Sequence, residues 1–259
     1  MSWTEILCLA AAAMAAGAIN AVAGGGTLIT FPTLLFFRTA PVIANATSTL
    51  ALLVGTAGST FGYREHLGAV KIWLWRFAPV SILGGLIGSA LLTQTSDKTF
   101  AKLVPFLILF ATMVFLAQGF FRRFAGLENR ARPVEERRRH IGLAIVFQFA
   151  VSIYGGYFGA GIGILMLASL GFIGLTHIHE MNAVKTVLSS LINLVASIWF
   201  VCAGLIHWPK AGVMTVGALV GYYLGAHYSQ RIPQIRVRQL ITAIGFTLSA
   251  VTFYEQFMK

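Results

Sequence analysis

Residues 4–38 form an apolar stretch that is too long to cross a membrane once. As a single helix it would be about 52 Å long, whereas the hydrocarbon core of a bilayer is about 30 Å thick. Three consecutive glycines, Gly24, Gly25 and Gly26, interrupt the stretch, and a helix breaks readily at such a cluster. We therefore expect either a helical hairpin or one span followed by a half-helix that begins near Thr27.

A degenerate copy of this arrangement occurs in the second half of the chain. Residues 141–175 are again too long for one span and carry their own glycine cluster at 159–163. A half-helix is expected to begin near Ile162. In both copies a turn follows, and then a helix that opens with polar residues, Asn45–Thr49 in the first copy and Asn182–Thr186 in the second. Such breaks inside membrane-length apolar sequence are costly unless they line a cavity.

The composition excludes an ordinary soluble domain. Of the 259 residues, 57% are hydrophobic and 10% are charged, and the mean hydropathy is +0.79, whereas soluble domains carry about 25% charged residues. The formal charge of +11 comes from basic residues that lie between apolar runs. This is the positive-inside pattern of membrane proteins, and we do not expect a nucleic-acid partner.

The sequence predicts an all-α polytopic membrane protein with about 8–10 helical segments in two homologous repeats. The repeats span residues 1–121 and 141–259, and residues 122–140 join them as a linker with seven arginines. Seven arginines between apolar halves predict a cytoplasmic linker. Small-residue faces for close helix packing are formed by Gly84 and Gly88 in one repeat, and by Gly217, Gly221 and Gly225 in the other.

The charge distribution favours inverted repeats. If each first element is a hairpin, each half has five segments, and Arg64, Lys71, the linker and Arg231–Arg238 all face the cytoplasm. If each first element crosses once, the halves are parallel, and Arg231–Arg238 falls outside. The first arrangement keeps the basic residues on one side, and repeated broken helices of this kind indicate a transporter binding site.

Lys185 is the candidate anchor for an anion, because a buried ammonium needs a partner or a cavity. The alternatives are a structural pair with Glu180, or a side chain that extends to the helix end. Half-helix N-termini and small polar side chains would add hydrogen-bond donors; N-capping and tight packing are their alternative roles. The proposed substrate-binding residues are Asn20, Gly24, Gly25, Gly26, Thr27, Asn45, Thr47, Ser48, Thr49, Gly159, Gly161, Asn182, Lys185 and Thr186.

Carboxylates are scarce and lie at helix ends or in loops, so a carboxylate-lined cation path is not expected. Proton coupling, if present, would use Glu65, Glu180 or His227, although a helical histidine such as His227 often serves only packing. Cys8 and Cys202 lack metal-binding spacing and are expected to be buried. We expect neither a metal nor a cofactor. No nucleophile elbow or P-loop occurs, which argues against an enzyme and against an ATP-driven pump.

The segments NAVAGGGTLITFPTLL, ANATSTLAL, YGGYFGAGIGILM and MNAVKTVLSSLINL together resemble the sulfite exporter TauE/SafE family of bacterial membrane permeases. The resemblance covers essentially the whole chain. It implies a multi-pass protein of the bacterial inner membrane that moves small sulfur anions such as sulfite, sulfoacetate or other sulfonates. It also implies that the glycine clusters, Asn45–Thr49 and Asn182–Thr186 are the motif positions.

The leading hypothesis is a secondary transporter for a small anion, with the site between the repeats and alternating access to it. An anion channel and a membrane assembly subunit without transport are the alternatives. The sequence leaves the oligomeric state open, with a homodimer as one option, and it does not distinguish export from uptake.

Overall fold

The structure is a computed structural model that describes residues 1–22, 25–62, 64–127, 134–172, 178–228 and 234–257. The described chain is helical, with five α-helices before residue 128, five after residue 133 and a short 3-10 turn at Arg64–His66; the fifth and sixth helices extend into the predicted linker at 122–140. This confirms the all-α prediction. The helices are α1 (Trp3–Val22), α2 (Thr27–Phe36), α3 (Pro41–Gly62), α4 (Leu67–Gln94), α5 (Asp97–Leu127), α6 (Val134–Tyr157), α7 (Ile162–Phe172), α8 (Ile178–Cys202), α9 (Trp208–Tyr228) and α10 (Gln234–Phe257).

Four helices in the described ranges are long and apolar enough to cross a membrane, judged by length and composition. They are Trp3–Ala21, Pro41–Gly58, Leu67–Gln94 and Glu180–Cys202. Large apolar side chains such as Trp75, Met113 and Val216 are exposed on the outside of the bundle, as a lipid-facing surface requires. Cys8 and Cys202 are also exposed. Their expected burial was wrong, because both lie on outward faces of their helices.

The half-helices α2 and α7 begin at Thr27 and Ile162, as predicted. The helix α2 runs back along α1, because Lys210 Nζ lies 2.7 Å from Glu5 at the start of α1 and 3.1 Å from the Phe37 carbonyl oxygen just after α2. The start of α1 and the end of α2 therefore meet at Lys210. The two helices form a helical hairpin, named hairpin 1 here.

The helices α6 and α7 form the corresponding hairpin 2. Gly155 near the end of α6 packs against Ile162 at the start of α7. Further from the tip, the Ser169 hydroxyl lies 3.4 Å from the Ala144 carbonyl oxygen. The turn residues Gly159 and Gly161 have φ values of 80° and 77°, a backbone region that L-residues other than glycine seldom adopt.

Each hairpin packs against a helix of the other half. The helix α1 lies along α9, and α6 lies along α4. Both pairs are parallel and closely packed: Gly217 and Gly221 lie against Ala10 and Met14, and Gly88 lies against Ile153. The predicted small-residue faces are thereby confirmed. The helices α3 and α8 pack together at the centre, and α5 packs on α10.

Helix directions define two ends of the bundle. At the Lys210 end, α1, α3, α5 and α9 begin, as the Val42 N–H to Asp97 Oδ1 hydrogen bond of 3.1 Å indicates for α3 and α5. At the linker end, α5 finishes and α6 begins. The helix α10 runs antiparallel to α5, with Ser249 Oγ donating to the Pro105 carbonyl oxygen at 3.1 Å. Hairpin 1 therefore starts from the Lys210 end, and hairpin 2 starts from the linker end.

Candidate functional site

A cavity of about 540 Å³ lies where the tips of the two hairpins meet α3, α8 and α9. Both tips contribute backbone and side chains to its wall, and the three helices complete it. Its lining residues are Asn20, Ala21, Gly25, Thr27, Thr49, Leu52, Gly55, Thr56, Gly58, Phe158, Gly159, Gly161, Ile162, Gly163, Lys185, Thr186, Ser189, Asn193, Leu219, Tyr222 and Tyr223.

The tip of hairpin 1 is held by Asn20. The Gly26 N–H donates to Asn20 Oδ1 at 2.7 Å, and Gly25 has a φ of 100°. Thr27, the first residue of α2, lines the cavity. The N–H groups of Leu28 and Ile29 bond to the carbonyl oxygens of Gly25 and Gly26, so the start of α2 favours an anion in the cavity through the positive end of its helix dipole.

The tip of hairpin 2 is held by contacts within the tip and to α3. Tyr154 Oη donates to the Ala160 carbonyl oxygen at 2.8 Å, and Asn45 Nδ2 donates to the Tyr157 carbonyl oxygen at 3.0 Å. Phe158 packs edge-to-face on Phe31 of α2 at 5.4 Å between ring centroids. These contacts fix the start of α7 beside the cavity.

Lys185 is the only charged side chain among the described residues that line the cavity. Its stem packs on the start of α7, where a Cβ added to Gly163 would lie 3.2 Å from Lys185 Cδ. The side chain is half-buried. A net positive charge, two helix starts and hydroxyl and amide groups face one space, which suits a small anion.

Comparison with known proteins agrees with this geometry. The family model described as "Sulfite exporter TauE/SafE" matches residues 9–252. The chain belongs to the sulfite exporter TauE/SafE family. This is a family of membrane transporters, which makes the protein a bacterial multi-pass membrane protein and not an enzyme.

Relatives in the TauE/SafE family extend over nearly the whole chain. A "Probable membrane transporter protein" of Haemophilus influenzae is 28% identical over 244 residues, covering 92% of this chain and 90% of the relative. The "Probable membrane transporter protein YfcA" of Escherichia coli K12 is 25% identical over 248 residues, with 94% and 87% covered. The corresponding YunE protein of Bacillus subtilis is 21% identical, with 93% and 94% covered. No solved structure matches the chain.

The structure brings together eight of the proposed substrate-binding residues. They line the cavity from both hairpins, α3 and α8, and are Asn20, Gly25, Thr27, Thr49, Gly159, Gly161, Lys185 and Thr186. Gly26, Asn45, Thr47, Ser48 and Asn182 do not line it, and Gly24 lies outside the described residues. The role of all these residues in substrate binding stays a prediction.

The polar residues of α3 that do not reach the cavity hold neighbouring segments instead. The hydroxyls of Ser48 and Thr30 lie 2.6 Å apart, which ties α3 to α2. The His207 N–H donates to Thr47 Oγ1 at 3.1 Å, which ties α3 to the loop before α9.

The polar clusters also lie further from the starts of their helices than predicted. The helix α8 begins at Ile178 and does not open with Asn182, so Lys185 is about two turns into the helix.

The sequence analysis did not predict several of the residues that line the cavity. Thr56, Ser189, Asn193 and Tyr222 add polar groups to its wall. One signal was present: the spacing that relates Asn45 to Asn182 also relates Thr56 to Asn193.

Two of the candidate proton carriers, Glu65 and Glu180, are not among the described residues that line the cavity. Glu65 is exposed in the turn before α4, and Glu180 lies in the first turn of α8, both at the linker end. His227 falls near the end of α9, and its side chain lies outside the described part of the structure. A coupling role for these three residues stays a prediction.

Proposed function

We propose that the protein is a secondary transporter for a small anion, and that its cargo is a sulfur oxyanion such as sulfite, sulfoacetate or another sulfonate. The family name and the names of the relatives support transport of this class. The observation that carries the proposal is the cavity itself. Lys185 is its only charged lining residue among those described, and that described wall carries no carboxylate, so the formal charge of the lining is positive and suits an anion.

The arrangement of the hairpins supports alternating access. Hairpin 1 starts from the Lys210 end, hairpin 2 starts from the linker end, and their tips meet at one cavity. Corresponding helices of the two halves run in opposite directions, as expected for inverted repeats. Rocking of one half against the other would then open the cavity to one side at a time.

The positions of the basic segments support a cytoplasmic linker end. The turn before α4, the end of α5 and the start of α10 all lie at that end. Their flanking sequence includes Arg64, Arg122 and Arg236. Positive residues at one end of a helical bundle favour its placement in the cytoplasm.

The test is flux of radiolabelled sulfite and sulfoacetate in proteoliposomes, with an imposed pH gradient and without one. Saturable flux that is accelerated by unlabelled anion on the opposite side is expected for a transporter, because an alternating site returns faster when it is loaded. A non-saturating flux that follows the membrane potential alone would instead identify an anion channel. Protein shown to be folded that moves neither anion would remove the substrate assignment, and empty liposomes set the background.

A further inference from the structure

The hydroxyl of Tyr222 is a buried polar group on the wall of the cavity. The side chain is 6% exposed, and its Oη makes no hydrogen bond with any described atom. A buried hydroxyl without a partner is costly, and buried hydroxyls in proteins are nearly always bonded. A partner that enters with the substrate would remove this cost.

The ring of Tyr222 reaches the cavity because residue 55 is glycine. A Cβ at Gly55 would overlap the Cδ2 and Cε2 atoms of the ring. The hydroxyl then lies beside Asn20 and Thr56. Neither neighbour forms a hydrogen bond with it, since Asn20 Oδ1 accepts from the Gly26 N–H and Thr56 Oγ1 donates to the carbonyl oxygens of Leu52 and Leu53. The hydroxyl therefore keeps a donor for a ligand.

The corresponding position in the first half is filled differently. The spacing that relates Gly84 to Gly221 and Gly88 to Gly225 places Gly85 opposite Tyr222. Gly85 packs against Ile192, the counterpart of Gly55, with its added Cβ 3.3 Å from Ile192 Cα. In the first half, an aliphatic side chain on a glycine, Ile192 on Gly85, is therefore enough to pack these two helices together. The tyrosine adds an O–H group that helix packing does not require.

We propose that Tyr222 donates a hydrogen bond from its hydroxyl to an oxygen of the transported anion and selects for anions that carry an acceptor at that point. This inference rests on the proposed transport function. Lys185 attracts the charge of the anion, and Tyr222 recognises one of its oxygen atoms. The residue is a specificity determinant of the cavity.

The test compares wild-type protein with Tyr222→Phe in proteoliposomes, measuring KM and the maximal rate of radiolabelled sulfite and sulfoacetate flux. Phenylalanine keeps the ring over Gly55 and removes only the hydroxyl. Loss of one hydrogen bond to a charged ligand raises KM by about tenfold to a hundredfold. The maximal rate per folded protein and the melting temperature in detergent should stay near wild type. Tyr254→Phe, which removes an exposed hydroxyl on α10, is the matched control and should leave KM unchanged.

An unchanged KM in Tyr222→Phe, with wild-type flux present, overturns the inference and leaves the transport function standing. A lower melting temperature and maximal rate at constant KM also overturns it, because that pattern belongs to packing. Absence of wild-type flux for every sulfonate tested and for sulfite overturns the proposed function, and the role of Tyr222 with it.

Discussion

The ammonium group of Lys210 lies 2.7 Å from the Glu5 carboxylate, although the two residues are in opposite halves of the sequence. The same group donates to the Phe37 carbonyl oxygen at 3.1 Å and to Thr39 Oγ1 at 3.0 Å. Lys210 is 6% exposed. One side chain therefore joins the start of α9 to both outer ends of hairpin 1.

Lys210→Met should lower the melting temperature of the purified protein by several degrees, because Glu5 and the Phe37 carbonyl oxygen lose their partner in a partly buried place. Differential scanning fluorimetry in detergent measures this. Lys98→Met, at an exposed lysine of α5, is the control. The double variant Lys210→Met/Glu5→Gln should be less destabilised than the sum of the single variants; strictly additive effects would show that the pair is not coupled.

Lys185→Ala should abolish sulfite transport while leaving the protein folded, because it removes the only positive charge among the described residues of the cavity wall. Flux in proteoliposomes and the elution profile in detergent test both parts. Lys185→Arg should retain part of the activity, since it keeps the charge. Lys102→Ala, at an exposed lysine of α5, is the control. Normal flux in a well-folded Lys185→Ala protein would assign this lysine a structural role.

Two substitutions separate the structural role of Asn20 from its effect on the electrostatics of the cavity. Asn20→Ala removes the acceptor of the Gly26 N–H and should destabilise the fold by about 1 kcal/mol, as for other hydrogen bonds and caps. Asn20→Asp keeps an acceptor but adds a negative charge at the cavity wall, so it should raise KM for the anion more than it lowers stability. Thermal melts and flux assays on both variants distinguish the two effects. Equal KM values in the two variants would contradict the electrostatic argument.

Helix directions also predict the topology. In protein with Cys8 and Cys202 replaced by serine, Ser96→Cys in the turn before α5 should react with a membrane-impermeant maleimide from outside the cell. Gly68→Cys at the start of α4 should react only after the membrane is opened. Both positions are exposed, and a Cβ at Gly68 meets no atom within 4 Å. The reverse labelling pattern would place the linker end outside.

The sequence was sufficient to locate the breaks in the helices, because an apolar stretch longer than the bilayer must turn and glycine marks where it turns. The starts of α2 and α7 followed directly. The sequence was less informative about which polar residues face the cavity. Ser48 and Thr49 are neighbours in α3, but successive helical residues point about 100° apart. Thr49 therefore lines the cavity, while Ser48 bonds to Thr30.

Contacts between residues far apart in the sequence could not be predicted from the local sequence pattern. Glu5 looked like an ordinary helix-end carboxylate, and only the packing of α1 along α9 brings it to Lys210. Tyr222 lies next to Tyr223 in an apolar helix, where aromatic residues commonly serve packing. Its unpaired hydroxyl becomes visible only when the position of Gly55 is known.

The exchange of partners between the halves has a consequence for biogenesis. Hairpin 1 is made first, but the helix against which it packs, α9, is the ninth of the ten described helices to leave the ribosome. Hairpin 2 finds its partner α4 already in the membrane. The surface of α1 that α9 covers in the finished protein must therefore stay exposed in the membrane until α9 has been made. Truncation before α9 should leave it exposed to membrane proteases, whereas hairpin 2 would already be sheltered.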